Sequence, residues 1–172
     1  MLKLAGTILL MMGCIGLGIN KVADEKRRIR ELREMRRIIL RIQSEMVYGK
    51  RTLPEICLLL SQYMEEPYSQ AFCDIFHKME KNDGSVLNNI WKEYMEVCMK
   101  GMPLKEEEKA VLVRLPEHLG ILDENTQAAN IGQSLDMIEE RIHHAESEYE
   151  NKSKVILSIS IMAGLFLIII LL

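Results

Sequence analysis

The chain has 172 residues, 48% of them apolar and 27% charged, which is one domain's worth of ordinary composition and excludes a disordered or fibrous protein. Its formal charge of −3 is a misleading mean, because residues 21–51 hold eleven Lys/Arg against five acids while residues 55–150 hold twenty acids against eight bases. A basic segment beside an apolar one, followed by an acidic body, points to a membrane surface rather than nucleic acid.

In chain order, the first element is an uncharged run, Leu4 to Ile19, diluted by Gly6, Gly13, Gly16 and Gly18. It reads as a transmembrane helix over residues 2–20. Lys3 and the Leu10-Met11-Met12-Gly13-Cys14 stretch also resemble a cleaved secretory leader. Cleavage would export the Lys/Arg cluster that follows, against the positive-inside rule. The last run, Val155 to Leu172, carries no charge and only two hydroxyls, Ser158 and Ser160. Eighteen helical residues rise roughly 27 Å, close to the hydrocarbon thickness, so 155–172 is expected to be the second span. The same rule, with Lys152 and Lys154 before this span, puts residues 21–154 in the cytoplasm and both termini outside. Gly6, Gly13 and Gly16, and Ser160-x-x-x-Gly164, are either ordinary membrane glycines or surfaces for close helix packing.

Between the spans the spacing predicts six helices. From Ala23 to about Tyr48, Ile29, Leu32, Met35, Ile38, Ile39, Ile42 and Met46 recur on one face, and Gly49 ends the run. Thr52-Leu53-Pro54-Glu55 has the form of a capping box opening a second helix that buries Ile56, Leu59 and Leu60. Glu66-Pro67 opens a third, with Phe72, Ile75, Phe76 and Met79. After the Asn82-Asp83-Gly84 turn, Ser85 caps a fourth with Leu87, Ile90, Trp91, Tyr94 and Cys98. Gly101-Met102-Pro103 breaks the chain. A fifth helix uses Val111, Leu112, Leu115 and Leu119; Pro116 should bend or shorten it, and Gly120 stops it. The sixth, from about Asp123 to Lys154, presents Ile131, Leu135, Ile138, Ile142 and Ala145 and runs into the second span. No stretch alternates like a strand. The fold expected is all-α: a six-helix bundle flanked by two transmembrane helices.

Catalytic signals are weak. No phosphate-binding loop occurs. Of four cysteines, Cys14 lies in the first run, and Cys57, Cys73 and Cys98 make no C-x-x-C pair and read as buried small hydrophobes. Glu140-x-x-His143, with Asp74-x-x-His77, has the spacing of a di-metal bundle site but also that of a solvated stripe. No aromatic residues interleave the basic stripe 26–41 to stack bases, so nucleic acid is not an expected partner. That stripe fits topology and attraction to anionic lipid, or a protein-docking face.

Glu45-Met46-Val47-Tyr48-Gly49, Leu53-Pro54-Glu55, Trp91, Leu119-Gly120 with Asp123 and Gln127, Leu135 and Glu139, and the apolar tail occur in an order that resembles the stage III sporulation protein AB family. The likeness covers essentially the whole length, with Leu115-Pro116 standing where the family tends to have a Phe-Gly pair. The resemblance implies one half of the cytoplasmic part of a type II secretion inner-membrane platform protein. It implies a place in the mother cell-to-forespore channel complex, in the mother-cell (outer forespore) membrane, beside a secretion-type ATPase and other channel-complex membrane proteins. A non-enzymatic platform subunit without cofactor, pairing as a homo-oligomer because it carries a single such domain, is the expectation. Candidate docking residues are the basic Arg30, Arg33, Arg37 and Arg41, or the acidic Glu106, Glu107 and Glu108. The rival classes are a membrane-anchored sensory bundle and a metal-dependent enzyme built on Glu140 and His143.

Overall fold

A computed structural model describes residues 2–81, 86–119 and 124–171. The side chains of 2–12, 14–15, 17, 118, 124–125, 153, 157, 160, 163–165 and 167–171 lie outside that description. Among the described residues the elements are α1 (Leu2–Val47), α2 (Leu53–Tyr63), α3 (Tyr68–Glu80), α4 (Leu87–Cys98), α5 (Glu106–Val113), a 3₁₀ turn (Leu115–His118) and α6 (Glu124–Leu171), with no strand. The all-α class and six helices are as the periodicity predicts. The chain divides into two units, Glu31–Ile142 and the pair of segments Met1–Arg30 with His143–Leu172.

In Glu31–Ile142 the 3.6-residue pattern becomes a core. Leu32, Met35, Ile38, Ile39 and Ile42 of α1 are fully buried, as are Ile56, Leu60, Phe72, Ile75, Trp91 and Met95 from α2, α3 and α4. α1 ends where expected, with a division of labour between two residues. A Cβ at Gly49 would sit 2.8 Å from the Glu45 carbonyl oxygen, so only glycine fits that close approach. The left-handed conformation falls on Lys50 instead (φ 48°). Tyr48 and Gly49 N–H groups donate to the Ser44 carbonyl and Arg51 N–H to that of Glu45, which satisfies the helix end.

α2 opens as the Thr52-x-x-Glu55 pattern predicts: Glu55 accepts from the Thr52 N–H at 2.8 Å and from its hydroxyl at 2.9 Å. The Thr52 N–H, then its hydroxyl, favour the charged form and hold the Glu55 carboxyl below its ordinary value. α3 follows a cis Glu66–Pro67 peptide. Gly101, at φ +80°, makes the turn that separates α4 from α5.

Pro116 shortens the fifth helix, as its ring requires. α5 stops at Val113 and Pro116 sits in the first turn of the 3₁₀ segment. A proline has no N–H for the carbonyl four residues back, which is Leu112. The Trp91 indole N–H donates to that carbonyl at 2.9 Å, and the ring meets Phe72 edge-on at 5.7 Å.

In the second unit the described buried residues include Ile29, Ala145 and the charged Arg28. Arg28 donates to Glu25 and to Glu148, each at 3.1 Å. A Cβ at Gly13 or Gly16 would meet nothing within 4 Å. The Asn82-Asp83-Gly84 turn, the Ser85 cap, Gly120 and Asp123 lie outside the described residues, as do the Gly6, Ser160 and Gly164 contacts. Among the described residues no helix is long and apolar enough to cross a membrane. The expected spans, 2–20 and 155–172, fall largely on residues whose side chains lie outside the description.

Candidate functional site

The expected docking residues divide by what already holds them. On α1, Arg37 pairs with Glu34 at 3.0 Å, one turn back, and stays well exposed. Arg41 pairs with Glu45 at 3.1 Å and lies over the Tyr63 ring at 5.3 Å. Glu45 also takes Arg51 at 3.2 Å, so this arginine belongs to a small network that ties the end of α1 to α2. Arg30 and Arg33 are exposed. Surface pairs of this kind contribute roughly 0–1 kcal/mol each and leave their charges readable by a partner.

The acidic run at the start of α5 is not one surface. Glu106 is exposed and pairs with Lys109 at 2.7 Å. Glu107 is exposed and reaches Arg141 of α6 at 3.0 Å. Glu108 is fully buried and accepts the Lys105 N–H at 2.8 Å, closing the N-terminus of the helix. Its charge stabilises a helix end and is not presented to a partner. The Lys105-x-x-Glu108 spacing was the available signal, concealed because a lysine stands where Ser or Thr is usual.

The histidines and acids singled out for a metal site do not come together among the described residues. His143 lies 4.0 Å from Glu146, and His144 3.9 Å from Glu148, as helix neighbours. Asp74 accepts from Gln70 at 2.9 Å. Among the described residues no group of three or more His, Cys, Asp or Glu is placed to hold a metal ion. Cys57 is buried, and burial pushes its thiol up to about 12. Cys98, half-buried, is pushed to about 12 by burial and then by the carboxylates of Glu31 and Glu66. Neither offers a thiolate nucleophile near neutral pH. Buried Tyr68 bonds Glu31 at 3.4 Å, and burial followed by that carboxylate holds its proton firmly.

Two features escaped the sequence reading. One is Arg28, counted with the basic stripe but buried on Glu25 and Glu148. The other is a groove of about 410 Å³ between α4 and α5, whose charged lining comes from residues scattered along the sequence.

The family described as Stage III sporulation protein AB matches residues 3–172. The Stage III sporulation protein AB of Bacillus subtilis (strain 168) is 26% identical over 171 residues, covering 99% of each chain. A solved structure of Stage III sporulation protein AB (SpoIIIAB) overlays with a TM-score of 0.64 at 24% identity, over 72% of this chain and 96% of that one, a likeness of fold. The all-helical fold and a family match that runs over residues 3–172 show that the chain belongs to the stage III sporulation protein AB family.

Proposed function

We propose that the chain is a non-enzymatic membrane platform subunit of the mother cell-to-forespore channel complex needed for sporulation, and that its helical body docks a secretion-type ATPase in the cytoplasm. The observation that supports this most is that α1 and α6 continue as helix from the core residues into the uncharged runs 4–19 and 155–171. A helix apolar on every side requires a protein interior or lipid around it. Family membership supports the sporulation setting. Segments 2–20 and 155–172 act as the anchors, and the Lys/Arg excess after the first keeps the body on the cytoplasmic side.

Cysteine scanning tests the placement. Cys57 is a poor reporter because it is buried, so Val86→Cys, at a well exposed position, serves instead. In intact sporulating cells it should label with a membrane-permeant maleimide and resist an impermeant one until the cells are opened. Ready labelling by the impermeant reagent would reverse the topology and end the proposal. Affinity purification of the tagged full chain in mild detergent should recover the secretion-type ATPase or channel subunits; recovery of neither would remove the docking role.

A further inference from the structure

Four of the eight bases in the acidic stretch 55–150 line one groove: Lys92, Lys100, Lys109 and Arg114. One wall is a stripe of α4 continued by its end, Lys92, Glu96, Met99 and Lys100, at successive turns. The other is a stripe of α5 and the residue after it, Glu106, Lys109, Ala110, Val113 and Arg114. Within the walls, Lys109 pairs with Glu106 at 2.7 Å and Lys92 stands 3.9 Å from Glu96. Lys100 and Arg114 are exposed, and neither side chain makes an ion pair among the described residues. The apolar part of the lining is half-buried Ala110 and Val113 and buried Met99.

We propose that this groove docks an amphipathic helix of a partner protein, one that carries carboxylates at three- and four-residue spacing beside small apolar side chains. Lys100 follows the end of α4 and Arg114 the end of α5, and Met99, Ala110 and Val113 line the same groove. A compact phosphate wants donors that converge on one point. A helix instead offers charge at one-turn intervals with apolar surface between, which is the pattern of these walls. Glu96 and Glu106 repel a uniformly anionic surface such as a lipid headgroup layer, whereas a segment with spaced carboxylates can step past them. A volume of about 410 Å³ accommodates several side chains of such a helix. The inference goes beyond the platform reading and does not depend on it.

The test uses the full chain in lipid nanodiscs and a fluorescent 18-residue Ala/Leu helix with Glu at i and i+4, read by anisotropy. The same helix with Gln for Glu is the control. The Glu peptide should bind, and the Gln peptide should bind at least about tenfold more weakly. Lys100→Glu with Arg114→Glu should weaken the Glu peptide at least about tenfold, while the charge-matched Lys50→Glu with Lys81→Glu, at exposed positions outside the groove, should not. If the reversed pair misfolds by circular dichroism, Lys100→Gln with Arg114→Gln reads the same loss. Equal affinity for both peptides, equal effects of the two charge-changed variants, or displacement by inorganic phosphate at the peptide's own concentration would overturn the proposal. So would a loss of self-association in the Lys100/Arg114 variant, which would assign the groove to a second copy of this chain.

Discussion

The unit Glu31–Ile142 and the unit formed by Met1–Arg30 with His143–Leu172 share two helices yet are stabilised differently. In the first, apolar residues recur every three or four positions and are buried to the last atom around Trp91 and Phe72. In the second, the described buried set is small, and its most specific contact is polar: Arg28 held by Glu25 and Glu148. The runs 4–19 and 155–172 carry no charged residue to mark a polar face. The same helix type therefore carries two patterns, a one-sided apolar stripe buried against protein in the first unit and runs without charge in the second.

The hardest blow to the first pattern is Trp91→Ala. It opens a cavity at the largest buried side chain and removes the indole donor from the Leu112 carbonyl. A loss of about 3–5 kcal/mol is expected in urea unfolding of the full chain in detergent, followed by circular dichroism. Arg28→Ala attacks the second pattern. Glu148 keeps Lys152 at 3.1 Å, so the loss should be smaller, about 2 kcal/mol. Arg28→Lys should recover only part of it, since an ammonium is more strongly hydrated than a guanidinium and costs more to bury. A change below 0.5 kcal/mol for Arg28→Ala would show that the polar contact is not what holds this unit.

The join after α1 separates two kinds of backbone demand. Gly49→Ala should lose about 1–2 kcal/mol, because a methyl 2.8 Å from the Glu45 carbonyl forces the turn apart. Lys50→Gly should gain about 0.5 kcal/mol by relieving the left-handed lysine. Thermal midpoints of the two variants should move in opposite directions. The smallest effect concerns Glu55. Its folded value lies below the ordinary 4.5. Its contribution is therefore present above the unfolded value and lost as pH falls through the folded one. The difference in stability between the native chain and Glu55→Gln should be present at pH 7 and shrink below about pH 4.5, as unfolding midpoints in a pH series will show.

Periodicity made most of the core legible. Ile29, Leu32, Met35, Ile38, Ile39 and Ile42 are all buried as their spacing predicts, and so are Val111, Leu112, Leu115 and Leu119. On α2 the buried positions are Ile56, Cys57 and Leu60, with Leu59 only half-buried, because a short helix can rotate by a fraction of a turn without losing its apolar face. Met95 is buried though the sequence reading passed over it. Charge was harder to read. Arginines at 28, 30, 33, 37 and 41 look alike in sequence. Arg28 is interior, and one of the carboxylates on it, Glu148, comes from 120 positions away. Likewise Glu106, Glu107 and Glu108 are one acidic run on paper and three different environments in space. The α4–α5 groove was not legible, since it depends on which two stripes meet across the Gly101 turn.

The bond between the Trp91 indole and the Leu112 carbonyl has a practical consequence. This chain has a single tryptophan, and it adjoins Lys92 on one wall of the groove while its acceptor adjoins Val113 on the other. Native tryptophan emission thus comes from one indole stitched across the α4–α5 seam. Any ligand that spreads or tightens that seam will shift the colour and brightness of an unlabelled sample, so the molecule carries its own optical gauge of occupancy.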